Sequence, residues 1–275
     1  MAQMAAQSRF AEAAYAHLRG LLDRLASNPM VLRLANDGVR LSMAYLSLYM
    51  DAQGELSRQA VRQLFAGIGL SSPGRATALL MQLRLIKFIE PDPIQLDRRT
   101  KRYRPTAAMK KAFVDLMNMG LEATALLEPE AAGFIPQFEQ PVFFKGFVLA
   151  IGDSFLKMFK NLEGQPRNMF ADTTAGHLML YRLMLDGREQ TYPPRGELAF
   201  VSAALAREFK VARSHARRTF DRAADQDLIR YGTGYRSIML AEPFRQHLGR
   251  LHAAMFINNL RCVHAAKAFA LTQGL

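Results

Sequence analysis

Two halves of this chain carry the same punctuation in the same order, which constrains the fold more than any single motif does. Asn28-Pro29 is answered by Gln165-Pro166, and Leu56-Ser57 by Val201-Ser202. The apolar helical segment between Asp37 and Asp51 recurs between Asp172 and Asp186, at the same fourteen-residue interval. Leu85-Ile86-Lys87-Phe88 matches Leu228-Ile229-Arg230-Tyr231, 143 residues further on. Recurrence of successive landmarks marks repeated supersecondary units, here diverged by small insertions and deletions. The clearest break falls at residues 128–141, which hold three prolines and a glycine. The expected organisation is a first module over 1–127, a linker over 128–141 and a second module over 142–275.

Within each copy the apolar spacing is helical. A short helix after Leu56-Ser57 turns Val61, Leu64 and Phe65 inward, and Gly67-Ile68-Gly69-Leu70 makes a turn. Ser72-Pro73 then supplies an N-cap and a first-position proline for a helix burying Ala76, Leu79, Leu80 and Leu83. In the second copy the short helix carries Leu205 and Phe209, and the next buries Ala216, Phe220 and Ala223. Longer helical patterns cover 8–26, 106–127, 142–162 and 242–269.

Between the first helix pair and its long helix lies Asp97-Arg98-Arg99-Thr100-Lys101-Arg102-Tyr103-Arg104-Pro105-Thr106, with five cations in ten residues. From Arg98 to Lys111 there are seven cations and no acid. Pro91-Asp92-Pro93 turns the chain into this stretch, which reads as a basic hairpin; Gly232-Thr233-Gly234-Tyr235-Arg236 is the shorter turn of the second copy. Helix, turn, helix, basic hairpin, long helix is the order of a winged helix-turn-helix. The expected fold is therefore mainly α with small β wings: two tandem winged helix-turn-helix modules joined by long helices. The net charge of +12 favours polyanionic partners, and half of the residues are apolar, enough for a core. No apolar run reaches the roughly 18–20 residues of a membrane helix. A single cysteine, Cys262, excludes an intrachain disulfide framework and suits a reducing cytoplasm.

Residues 37–127 resemble the winged-helix transcription regulators of the MarR type. The resemblance rests on Asp97-Arg98-Arg99, matching the family's Asp-x-Arg wing tip, and on Arg104-Pro105-Thr106 opening the next helix. The family's usual leucine is Pro105 here, and its usual glycine is Met109. Residues 172–245 look like a second copy without the Asp-x-Arg tip. The resemblance implies a cytoplasmic, nucleoid-associated, bacterial-type regulator that binds double-stranded DNA and inserts Arg99 into the minor groove. The phenylalanine-rich helix 142–162 reads most simply as core or helix–helix packing, and the resemblance adds a small-molecule effector pocket there as the alternative. Family members are homodimers held by their terminal helices, so two fused modules imply a monomeric pseudo-dimer, or else a homodimer.

The DNA-contact candidates follow from which side chains the apolar stripes turn outward. On the second helix of the second pair these are Ser214, Arg217 and Arg218, with His215 and Arg222 on a flank and Arg213 at the start. Arginine forks suit guanine edges and phosphates. Asp221 and Asp225 share that face and would repel phosphate unless paired with Arg217 or Arg222 at helical spacing. The corresponding helix of the first pair offers only Arg75, Thr77 and Gln82, with Ser72 at its cap. The hairpins add Arg98, Arg99, Lys101, Arg102, Arg104 and, in the second copy, Arg236.

Other chemistry is sparse. The six histidines show no His-x-x-x-His spacing, no glycine-rich phosphate loop follows a strand, and no nucleophile-base set is legible. Neither enzyme, cofactor nor metal is expected. Two other readings share the fold: a plasmid-type replication initiator, and a docking module of a chromosome-organising complex, for which a cationic hairpin has no use.

Overall fold

The computed structural model describes residues 1–94, 101–161 and 169–274. Among these the chain is mainly helical, with two small antiparallel sheets. In order come α1 (Ala2–Ala5), α2 (Phe10–Ser27), α3 (Pro29–Ala35), α4 (Gly38–Ala52), α5 (Arg58–Gly67) and α6 (Pro73–Leu85). The hairpin strands β1 (Ile89–Pro91) and β2 (Tyr103–Pro105) lead into α7 (Ala107–Thr124). A 3-10 segment (Pro129–Glu139) precedes α8 (Pro141–Asn161), α9 (Met169–Asp172) and α10 (Gly176–Asp186). Then follow β3 (Leu198–Ala199), α11 (Ser202–Glu208), α12 (Arg213–Asp225), β4 (Ile229–Tyr231), β5 (Ser237–Leu240) and α13 (Glu242–Thr272).

Local chemistry sets these boundaries. The side chains of Asn28, Ser57 and Ser72 accept from the backbone N–H three residues on, at 3.2, 3.2 and 3.3 Å, capping α3, α5 and α6. Pro29 and Pro73 occupy first-turn positions, where a missing N–H costs nothing. The second helix of each pair ends the same way. Lys87 and Asp227 take left-handed φ values of 57° and 54°. The next N–H, of Phe88 or Leu228, then reaches back to Leu83 or Ala223 at 2.8 and 2.9 Å. Those two exits place Lys87 opposite Asp227, an offset of 140 rather than the 143 suggested by the Leu-Ile-Lys-Phe and Leu-Ile-Arg-Tyr strings. At that offset Phe88-Ile89 falls opposite Leu228-Ile229, while Leu85 and Ile86 fall opposite Asp225 and Gln226, so the matching strings set a helix end beside the start of a strand.

Two compact units are present, each assembled from three chain segments. One comprises Val39–Asn118, Gly133–Pro166 and Arg261–Leu275 and holds the first helix pair. Val61, Phe65, Ala76, Leu79, Leu80 and Leu83 are buried as their spacing requires. An aromatic core runs from Phe113 to Phe147 (6.2 Å between ring centres) and on to Phe138 (4.9 Å). Phe143 and Phe147 of α8 are buried in it, and each such side chain contributes about 1.5–3 kcal/mol. Gly146 lets α8 approach the end of α13, since a Cβ there would sit 3.1 Å from the Ala266 backbone. Residues 128–141, expected as a linker, wind into the 3-10 segment and bury Ala131, Phe134 and Phe138. Apolar side chains among the prolines make that stretch structural.

The other unit comprises Met1–Gly38, Met119–Ala132 and Arg167–Leu260 and holds the second helix pair. Phe220 of α12 is fully buried against Phe170 (5.4 Å) and Phe200 (4.8 Å). A second cluster joins Phe10, Ala13, Leu127, Ala253 and Phe256. Beside it lie His17 and His252, both buried, their rings 5.5 Å apart. Burial pulls the His17, His177 and His252 imidazoles down to about 3, 4 and 4. The buried Arg245 guanidinium donates to the carbonyls of Pro193 and Pro194 at 3.1 and 3.0 Å.

The sheets follow one plan with a small difference. β1 pairs with β2 in the register Ile89 to Pro105, and β4 with β5 in the register Ile229 to Leu240. A third strand, β3, adds Leu198 beside Ile238. Its counterpart in the first pair is a single bridge from Ser57 to Arg102.

Candidate nucleic-acid interface

The densest free charge among the described residues of the second pair lies on α12. Ala216, Thr219, Phe220 and Ala223 fix its inner face. That leaves Arg213, Ser214, Arg218 and Arg222 exposed. Arg213, Arg218 and Arg222 make no ion pair among the described residues. Arg217 is placed differently. Its Nε donates to Asp221 at 2.8 Å, and its guanidinium lies 4.8 and 4.7 Å from the centres of the Tyr231 and Tyr235 rings. The Tyr231 hydroxyl donates to the same Asp221 oxygen at 2.9 Å, and burial with that carboxylate pushes the phenol above its ordinary value. Arg217 therefore ties α12 to the β4–β5 hairpin. Asp221 is thereby matched by a cation and a donor, whereas Asp225, the other carboxylate of this face, is exposed and makes no ion pair with Arg222.

His215 is engaged as well. Its Nε2 lies 2.9 Å from the Thr174 carbonyl, which makes that nitrogen a donor to backbone. Arg236 is exposed beside Tyr235, which is 58% exposed at the hairpin turn.

In the first pair the candidates on α6 are mostly committed to local structure. The Ser72 hydroxyl accepts from Arg75 N at 3.3 Å, and Thr77 donates to the Pro73 carbonyl at 3.0 Å. Gln82 is half-buried and Arg75 is exposed. The outward face instead presents Ala78, Met81 (63% exposed) and Leu85 (82% exposed). On the hairpin, Arg104 pairs across the strands with Glu90 at 2.7 Å. Arg102 is half-buried and Lys101 is exposed. Arg98 and Arg99 lie outside the described residues.

Sequence reading passed over α5. Its solvent stripe carries Arg58 and Arg62, which line a cleft of about 660 Å³ with Gln59, Gln63, Ala66, Pro73 and Lys101. The signal was present in the i, i+4 spacing of the two arginines, on the flank of the stripe that buries Val61 and Phe65. A second cleft, about 510 Å³, is lined in part by Leu48, Val114, Phe144 and Val148, with Lys110 and Lys145.

No protein-family model, curated protein or solved structure matches the chain. What these surfaces can do follows from their own residues. No group of histidine, cysteine and carboxylate side chains suited to a metal occurs among the described residues. No helix described is long and apolar enough to cross a membrane.

Proposed function

We propose that this protein binds double-stranded DNA sequence-specifically through two winged helix-turn-helix modules in one chain and regulates transcription. The first module runs from α4 to α7 and the second from α10 into α13, with the β hairpins as wings. The observation that carries the reading is the exposed face of α12. Arg213, Arg218 and Arg222 stand there without acidic partners, beside a hairpin bearing Arg236, while Asp221 is taken up by Arg217 and Tyr231. Arginines on a helix of that kind reach guanine edges and phosphates in a major groove. Arg217 sets the angle between helix and hairpin, and direct readout falls to Arg213 and Arg218.

Selection of bound duplexes from a random pool, followed by titration across salt concentrations, tests this. An enriched motif and a steep fall of affinity with salt are the expected results. A flat salt response with no enrichment would falsify the reading. Mapping bound sites in cells then separates regulator from initiator, because promoters indicate the first and one array of repeats the second. The docking reading has one observation in its favour, the exposed Met81 and Leu85 of α6. A cytoplasmic site of action, a monomeric pseudo-dimer and an effector bound against α8 belong to the same proposal. The cleft holding Phe144, Val148, Lys110 and Lys145 is the place where an effector would bind.

A further inference from the structure

We infer that the first module grips the DNA phosphodiester backbone through α5, the first helix of its pair, and not through the outward face of α6. This rests on the DNA-binding reading above and assigns the contact within it.

Three cations converge on the cleft beside α5: Arg58 and Arg62 from the helix, and Lys101 from the chain entering β2. No carboxylate lines that cleft, and none of the three makes an ion pair among the described residues. The backbone holds the two elements in register, since Arg58 N donates to the Lys101 carbonyl at 3.2 Å. Ser57 caps the helix start, fixing where the Arg58 side chain departs. Like charges gathered on a concave surface repel one another, and an anionic chain seated there relieves the repulsion. Gln59 and Gln63 add neutral donors for the ester oxygens.

α6 offers the opposite surface. Ala78, Met81 and Leu85 carry no hydrogen-bonding group, while the Ser72 and Thr77 hydroxyls are occupied at the helix start. A major groove entered by that face would find few donors. The second module reverses the pattern. α11 presents Ala204 and a single arginine, Arg207, and its Glu208 is paired with Arg182 at 2.6 Å, whereas α12 carries three arginines that make no ion pair among the described residues. α6 carries exposed Arg75 and Arg84, nine residues apart, and α11 carries exposed Arg207, but among the described residues of the two pairs cations gather at one place only on α5 with Lys101 in the first module and on α12 in the second. A backbone clamp in one module and a base reader in the other is the division that this placement supports.

The test uses the full chain and two variants. In one, Arg58, Arg62 and Lys101 are all changed to Gln; in the other, Met81 and Leu85 are both changed to Ala. All five positions are exposed, and circular dichroism establishes that each variant is folded. Fluorescence anisotropy then measures affinity for random-sequence and preferred duplexes over a range of salt. The triple variant should weaken binding to every duplex by the same factor, and its slope of log affinity against log salt should fall by about 2–3, near 0.9 for each lost phosphate contact. The Met81/Leu85 variant should match the parent in both. An unchanged slope in the triple variant, while the parent still binds DNA, would overturn the clamp and leave the DNA reading standing. Loss of binding in the Met81/Leu85 variant alone would overturn it in favour of α6. A parent that ignores duplex but captures an oligo-glutamate peptide of equal charge would overturn both, and assign the cleft to an acidic protein.

Discussion

α6 and α12 are the same length, thirteen residues each, bury side chains at matching positions and leave through the same left-handed turn, yet their outer faces share almost nothing. At the inner positions Ala76, Leu79, Leu80 and Leu83 correspond to Ala216, Thr219, Phe220 and Ala223. Outside, Ala78, Met81 and Leu85 correspond to Arg218, Asp221 and Asp225. Close packing holds inner positions to shape and volume, because a cavity or overlap there costs several kcal/mol. Solvent places no such demand on the outer face, so charge there can change with the ligand while the frame stays put.

The shared frame is the easiest part to break. Phe220→Ala should lower the stability of the second-pair unit by about 3–5 kcal/mol, read as a shifted urea midpoint. Phe65→Ala should do the same to the first-pair unit. If either costs under 1 kcal/mol, the apolar frame is not what the two have in common.

Acid should separate the units next. His17, His177 and His252 all lie in the second-pair unit, and His264, exposed, is the single histidine of the other. Their folded-state values, about 3, 4 and 4, lie below the ordinary histidine value of about 6.5, so the unfolded chain takes up protons first. The stabilisation is complete above pH 6.5 and drains as pH falls toward 4, by up to about 1.4 kcal/mol per pH unit for each histidine. Urea unfolding at pH 7 and at pH 5.5 should show the second-pair unit losing roughly 4 kcal/mol and the first-pair unit little. Equal losses in both would mean that the buried imidazoles are not the cause.

Arg218→Ala should cost about 1–3 kcal/mol on a preferred duplex and much less on an unrelated one. Arg217→Ala should weaken both alike, since its guanidinium is spent on Asp221, Tyr231 and Tyr235. A specificity change from Arg217→Ala with none from Arg218→Ala would exchange their roles. The smallest contrast concerns caps. α6 begins at Ser72, which bonds to Arg75 N, whereas α12 begins at Ala212, which has no side chain to do so. Ser72→Ala should cost about 1 kcal/mol, and Ala212→Ser should add somewhat less than that, both measured by thermal melts.

Helical periodicity made the inner faces readable. Val61, Phe65, Leu83, Phe209 and Phe220 are buried where their spacing put them, and the basic stretch before Thr106 does include a hairpin strand. The i, i+4 pair of Arg217 and Asp221 was likewise visible. The aromatic cage around that arginine was not, because Tyr231 and Tyr235 reach it only once the hairpin folds back on the helix. The Arg58–Arg62 cleft needed Lys101 from a segment about forty residues on, and no local pattern carries that contact. Nor could composition place Arg104 against Glu90, a pairing set by strand register.

That the first-pair unit includes Arg261–Leu275 has a consequence for the order of events during synthesis. Helices α4 to α6 leave the ribosome early, but Val263 and Ala266, both buried in this unit, emerge some two hundred residues later. Until then the apolar flank of α8 around Gly146 is uncovered. The nascent chain thus carries an open hydrophobic seam on α8, a natural client for chaperones, while the roughly one hundred residues that follow it are made.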